Sequence, residues 1–391
     1  MKTEIKNFFE KIFSQTKHLP IPAGTYKFNS PAEEEKPYRL HLRIEPDGTG
    51  ILIINASTIL HLNNTAAEHA YYLIQGKGQD EAAKAFAERY NIDYKQAAED
   101  FADLKERIEV LISTPDLDPV TFLDFDRVNP HEQKISAPYR LDCALTYKSI
   151  ESQRMDDEVS HRVKRELLTE EWKAILQNAW NAGIPHIIFT GGEPTLRPDL
   201  PELIREAESL GQVTGLITDG LRLSQTAYLH ELLQSGLDHL MIVLDHKEEQ
   251  AWEGLNDAFT EDIHITVHIT ITIQNSNEIS AILNRLNKMG VKFVSLSTNT
   301  PELKEKLLDA RQQAATLGFT LVWDLPVPYA KNNPVAMEQA EDTETISGAG
   351  NSWLYVEPDG DVLPEQGMNQ VLGNMLTTPW NEIWQKAEPF H

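Results

Sequence analysis

The sequence predicts an α/β protein in which a parallel sheet with flanking helices follows a smaller α+β unit. Three observations predict it. Residues 137–330 alternate short apolar runs with helix-period segments, the pattern of repeated βα units. One of these runs, Ile187-Ile188-Phe189-Thr190, stops at Gly191-Gly192-Glu193-Pro194, where glycine lets another group approach the main chain and proline ends strand pairing. Residues 38–62 read instead as successive strands, and helices follow them. At 391 residues, 41% hydrophobic and 24% charged, the chain is long enough for two or three packed domains.

Charge and cysteine content narrow the function. The chain has 35 basic and 60 acidic residues, and its net charge of −25 disfavours nonspecific nucleic-acid binding. One cysteine, Cys143, excludes an internal disulfide. No signal-peptide pattern and no long apolar span is present, which predicts a cytoplasmic protein without stable membrane insertion.

In chain order, residues 1–19 hold an amphipathic helix (4–17) with Ile5, Phe8, Phe9, Ile12 and Phe13 on one side. Docking on the protein's own body is its expected role, and a membrane surface is the alternative. Residues 20–113 form a compact unit. Tyr38–Ile44 alternates as a half-exposed strand, Glu45-Pro46-Asp47-Gly48 turns, Gly50–Asn55 returns, and Thr58–Leu62 is a third strand. Asn63-Asn64-Thr65 caps a helix over Ala66–Leu73, with further helices at Gln79–Tyr90 and Asp93–Leu111. Residues 114–136 are a proline-punctuated linker.

Within 137–330 the strands fall at Tyr139–Tyr147, Ile184–Thr190, Val213–Thr218, His239–Leu244, His264–Ile273, Phe293–Ser297 and Phe319–Trp323. Helices between them include Glu166–Ala182, Pro198–Leu210, Gln225–Ser235, Ile279–Met289 and Pro301–Leu317. Periodicity does not separate a barrel from an open sheet. Residues 331–391 carry a hairpin, Ser352–Val356 and Asp361–Leu363 around Glu357-Pro358-Asp359-Gly360, then Leu372-Gly373-Asn374-Met375 and a tryptophan-rich end. The two Glu-Pro-Asp-Gly stretches are shared turn chemistry and not an internal repeat.

Gly191-Gly192-Glu193-Pro194 resembles the GGEP motif of radical S-adenosylmethionine (SAM) enzymes. The resemblance implies a partial (βα)6 TIM-type barrel, with this motif meeting the methionyl amino group of SAM. It also extends the SAM-type pocket to Thr218, Asp219 and Asp245 at later strand ends. The stretch 20–113, with its Leu62–Glu68 turn, resembles a winged-helix-like PqqD-type domain, a recognition element for leader peptides of ribosomally made natural products. That likeness implies a peptide strand added to the small sheet, with Ile51, Ile53, Ile59, Leu60 and Leu62 as the peptide-binding residues. The C-terminal stretch resembles a SPASM extension.

The same resemblance implies three cysteines spaced C-x3-C-x2-C after the first barrel strand, the thiolate ligands of a [4Fe–4S] cluster. Those slots hold Ser149, Gln153 and Asp156, and the SPASM position after Pro364 holds Glu365. The expectation is a catalytically degenerate member, a pseudoenzyme that uses no cofactor and no [4Fe–4S] cluster, with SAM in the residual pocket as the alternative. It would bind a precursor peptide or an active radical SAM paralogue. The rival expectations are an enzyme using SAM or another nucleotide by polar chemistry, a radical SAM enzyme with unusual cluster ligands, and a pure scaffold.

The remaining polar residues carry their own alternatives. Glu193 and Asp245 could pair as acid and base across the strand ends. Asp219 and Asp245 read more simply as helix caps. His264 and His268 lie on one strand face where two ligands could meet zinc, but no further residue has matching spacing, so no metal is assigned.

Overall fold

The computed structural model describes residues 21–31, 37–55, 58–114, 135–149, 163–298, 300–322 and 348–390. The chain divides into two compact units, Met1–Gln133 and Lys134–His391, so the division falls inside the 114–136 stretch. The amphipathic helix at 4–17 lies outside the described residues.

The first unit is a four-stranded antiparallel sheet in the order β1 (Gly24–Asn29), β2 (Arg39–Ile44), β3 (Gly50–Ile54), β4 (Thr58–Leu62), followed by α1 (Asn64–Ile74), α2 (Gln79–Tyr90) and α3 (Tyr94–Ser113). Alternation sends Leu40, Leu42, Leu52, Ile54, Leu60 and Leu62 to one face, where they pack with Ala67, Ala70, Ile74 and Ile108 of the helices. Asn63 caps α1, its side-chain oxygen accepting from Ala66 N at 2.9 Å, and Asp93 caps α3 in the same way. The Glu45–Gly48 turn closes with Gly48 N donating to Glu45 O at 2.9 Å, and Gly48 takes the positive φ (86°) that this position demands.

The second unit is built on one ten-stranded sheet. Six strands, β5 (Arg140–Thr146), β6 (His186–Gly191), β7 (Val213–Thr218), β8 (His239–Val243), β9 (His264–Ile271) and β10 (Phe293–Thr298), lie parallel and neighbour one another in chain order. They are linked through α4 (Thr169–Ala182), α5 (Leu200–Leu210), α6 (Thr226–Gln234), α7 (Glu249–Phe259) and α8 (Ile279–Met289). After β10 come α9 (Lys304–Thr316) and the short parallel β11 (Thr320–Leu321). At the other edge β12 (Trp353–Val356) adds parallel to β5 and turns back through β13 (Asp361–Leu363) and β14 (Gly373–Asn374). The chain closes on α10 (Trp380–Ala387). This is the expected α/β architecture with a parallel sheet.

The sheet has two distinct faces. Leu141, Cys143, Leu145, Ile187, Phe189, Leu216, Leu240, Ile242, Val267 and Ile269 pack against the helices in the main core. The alternate residues, including Ile188, Ile217 and Met241, form a separate cluster on the face away from the helices. The hairpin turn at Glu357–Gly360 repeats the chemistry of the first unit's turn: Gly360 N donates to Glu357 O at 2.8 Å and Gly360 has φ 91°. Trp380 and Trp384 stack with ring centroids 5.6 Å apart, and their indole N–H groups donate to the carbonyls of Ser136 and Ile135. That pair fixes α10 beside the segment entering β5.

Candidate functional site

Parallel strands present their C-terminal ends as the usual ligand-bearing edge of an α/β fold. The Gly191–Pro194 loop lies at that edge, immediately after β6. Its glycines are required by the protein's own main chain. A Cβ on Gly191 would stand 2.2 Å from Thr146 O, and one on Gly192 would stand 2.2 Å from Lys148 O. The two loops are joined there by Gly192 N donating to Thr146 O at 2.6 Å and Glu193 N donating to Lys148 O at 2.7 Å.

Glu193 is 2% exposed, and both its carboxylate oxygens are engaged. Oε1 accepts from Thr195 N (2.9 Å), Thr195 Oγ1 (2.5 Å) and Thr218 Oγ1 (2.9 Å), while Oε2 accepts from Asp219 N (2.7 Å). The carboxylate therefore ties the end of β6 to the end of β7. Pro194 opens a 3-10 turn over Pro194–Leu196. Asp219 Oδ1 accepts from Leu221 N at 3.0 Å, and Asp245 Oδ1 accepts from Lys247 N at 2.9 Å. Both aspartates close local Asx-type turns, but neither is the expected helix cap: Gly220, Gln225 and Glu248 stand at the N-caps that follow them. The acid–base pairing of Glu193 with Asp245 is not assembled, because Glu193 is spent on loop hydrogen bonds.

Arginines complete this edge. Arg197 grips Asp199 with two bonds, Nε at 2.9 Å and Nη2 at 2.6 Å, and its Nη1 donates to Leu145 O (3.2 Å) and Leu167 O (3.1 Å). It thereby holds together the two ends of the connection between β5 and α4. Arg222 donates to Thr195 O and lies over the Tyr228 ring, 3.8 Å from its centroid. Glu166 accepts from Thr146 Oγ1 at 2.5 Å and pairs with Lys148 Nζ at 3.1 Å. Sequence reasoning singled out none of these. The bidentate contact from Arg197 to Asp199, two residues on, was the one locally encoded signal; the partners of Glu166 and Arg222 are set by tertiary placement.

Cys143 faces the helix layer, fully buried, and burial together with Asp142 beside it pushes its thiol well up. Ser149 is half-buried after β5, while Gln153 and Asp156 lie outside the described residues. His264 and His268 do not converge. His268 is held on the far face by Ser295 Oγ (3.0 Å), Ser297 Oγ (3.0 Å) and Thr270 Oγ1 (3.2 Å). Among the described residues, no group of three or more His, Cys, Asp or Glu side chains could hold a metal ion.

In the first unit, β3 is paired on both sides, so Ile51 and Ile53 stand on an internal strand where no further strand can add. Ile59, Leu60 and Leu62 lie on β4, which pairs only with β3 among the described residues. Leu60 and Leu62 point into the unit's core, and Ile59 and His61 are half-buried on the opposite face.

Residues 143–263 match the family model of the radical SAM superfamily. A PqqA peptide cyclase of Rhizobium meliloti (strain 1021) is 25% identical over 265 residues, covering 59% of this chain and 68% of the relative. One from Streptomyces rochei is 26% identical over 257 residues, covering 59% and 70%. In fold, the chain is similar to Streptococcus suis SuiB at a TM-score of 0.53 and 16% identity, over 90% of this chain and 87% of that one. SuiB has also been solved bound to SAM and bound to its precursor peptide SuiA, and the SuiA complex matches at 15% identity. No helix of the described residues is long and apolar enough to cross a membrane.

These matches overturn the expectation that the chain uses no cofactor and no cluster. A radical SAM domain points to SAM and a [4Fe–4S] cluster as its cofactors. The donor set of this chain does not fit thiolate ligation, since its one cysteine is buried on the helix side of β5. A cluster here would take ligands other than this chain's thiols. Residues 143–263 thus match the radical SAM superfamily model, in a chain similar over 59% of its length to the PqqA peptide cyclases.

Proposed function

We propose that this chain recognises a precursor peptide in a radical-SAM-type peptide-modification system. On this reading the first unit is a PqqD-like recognition element, the six parallel strands are a partial barrel, and the β12–β14 hairpin with α10 is a SPASM-like extension. The observation that carries the reading is the edge of β4, paired only with β3 among the described residues. A peptide added there would continue the sheet, with main-chain hydrogen bonds giving affinity and alternate side chains giving choice. Its residues would fall in turn beside Ile59 and His61, then beside Leu60 and Leu62. The peptide-directed relatives support this assignment.

The chain's own side chains serve recognition and loop architecture in this proposal. Glu193, Asp219 and Asp245, which would be the obvious groups for polar catalysis, are engaged in turn and loop bonds.

The test selects a randomised linear-peptide library on the purified full chain, then follows amide exchange with an enriched peptide bound. Protection of 58–62 is expected, and Ile59→Glu should weaken binding by about tenfold, or about 1.4 kcal/mol. Enriched peptides that protect other segments and leave 58–62 unprotected would sink the proposal, as would a library yielding no binder.

A further inference from the structure

On the sheet face away from the helices, three hydroxyls surround one imidazole at β9 and β10. Val267, Ile269 and Ile271 of β9 pack in the helix-side core, so alternation turns His268 and Thr270 the other way. Ser295 is the register partner of His268 on β10, and Ser297 is that of Thr270. His268 Nδ1 meets Ser295 Oγ at 3.0 Å, and Nε2 meets both Ser297 Oγ (3.0 Å) and Thr270 Oγ1 (3.2 Å). His268 and Ser297 are buried, while Thr270 and Ser295 are half-buried and give the group an open side.

The group is not closed on itself. A neutral imidazole has one N–H and one accepting nitrogen, and each hydroxyl brings one hydrogen. If Nδ1 carries the ring hydrogen, it donates to Ser295, and the Nε2 lone pair accepts from Ser297 or Thr270 but not both. If Nε2 carries it, Ser295 donates to Nδ1, and the oxygens of Ser297 and Thr270 both face a donor. In either tautomer two hydroxyl hydrogens are left to donate outward, since the three hydroxyls bond only to His268 among the described residues.

We propose that Thr270, Ser295 and Ser297, held by His268, form a binding site for an uncharged amide carbonyl, either a peptide bond or a carboxamide side chain. A carbonyl oxygen has two lone pairs, one for each spare hydrogen. No charge accompanies these donors: burial alone pushes the His268 pKa down to about 3, with no charged group acting on it among the described residues. An anion brought here would lose hydration without gaining a counter-charge. Val243 is the register partner of His268 on β8 and packs with Ile188, Ile217 and Met241, which gives the ligand's alkyl part an apolar surface on the same face. The site belongs to the second unit and stands independently of the β4 edge proposed for peptide recognition.

The probes are propionamide, N-methylacetamide and propionate, titrated separately into the full chain at neutral pH. Ring 15N–1H spectra of histidine-labelled protein record binding, with the His268 signals identified by their loss in His268→Asn. Those signals should shift saturably with at least one amide in the millimolar range, and propionate should bind at least about tenfold more weakly. A response to propionamide alone assigns the site to a carboxamide side chain, and a response to N-methylacetamide alone assigns it to a peptide bond. Ser295→Ala combined with Thr270→Val removes a spare donor in either tautomer and should weaken amide binding at least about threefold. Ser295→Thr combined with Thr270→Ser keeps both hydroxyls and should retain it. Absence of a saturable shift, equal affinity for propionate, or unchanged affinity in the Ala and Val pair would overturn the site. The comparison of amide with carboxylate uses the natural chain, so it decides the matter even where the Ala and Val pair does not fold.

Discussion

Glu193 shows how one side chain can be read for two roles. A carboxylate beside two glycines suggests a ligand or an acid–base group. Here it is 2% exposed and accepts from one residue of its own loop, Thr195, and from two at the next strand end, Thr218 and Asp219. Glu193→Gln preserves shape but replaces one accepting oxygen with an NH2 group, so a donor must face either Asp219 N–H or the Thr195 and Thr218 donors. A buried donor left unmatched costs about 1–3 kcal/mol, and we expect the second unit's denaturation midpoint to fall accordingly. A variant with unchanged stability would return Glu193 to the ligand role. Gly191→Ala should be worse, since its Cβ would stand 2.2 Å from a carbonyl oxygen on a neighbouring strand. Neither effect could be read from the sequence, because Thr146, Thr218 and Asp219 reach this loop only through the sheet.

At the scale of elements, most strands and helices are legible because periodicity and caps are local. Asn63 and Asp93 begin their helices where their side chains can accept, and β4 and β13 keep the bounds that their patterns imply. Two elements carry weaker signals. β1 alternates Tyr26 and Phe28 with Thr25 and Lys27, but it is a sheet edge behind Pro20, Pro22 and Gly24. α7 holds Gly254 in its middle, which reads as a helix breaker. It is instead a packing point, where a Cβ would stand 2.2 Å from Gly220 O. Strand order within the sheet was not legible, since pairing is tertiary. The clamp on the β5–α4 connection tests the same level. Arg197→Lys keeps the charge but loses the planar fork that reaches Asp199 and two carbonyls together. A loss of roughly 2 kcal/mol in the second unit is expected from those charge-assisted bonds, read by urea unfolding, and a shift below experimental error would show that the carbonyl contacts contribute little.

At the scale of the molecule, the two units share an acid sensitivity set by buried neutral histidines. His268 is 1% exposed and its pKa is pushed down by burial to about 3. His69 is 4% exposed, stacks on Phe86 at 3.9 Å, and is pushed down by burial to about 4. An unfolded histidine titrates near 6.5, so between that pH and the folded value the unfolded chain binds more protons. Stability is therefore full above pH 6.5 and is lost as pH falls towards 3 for His268 and towards 4 for His69. The net charge of −25 acts in the opposite sense, because protonating carboxylates relieves self-repulsion. Carboxylates titrate mostly below about pH 5, which leaves the interval from 6.5 to 5 to the histidines. Across it, His268 should cost roughly 2 kcal/mol, at about 1.4 kcal/mol per pH unit. All seven tryptophans lie in the second unit, so urea unfolding followed by tryptophan fluorescence isolates His268 from His69. The midpoint should fall from pH 6.5 to 5 in the natural chain and fall less in His268→Asn. Equal slopes in the two proteins would mean that His268 is protonated in the fold, and its serine and threonine partners would then be accepting from an imidazolium.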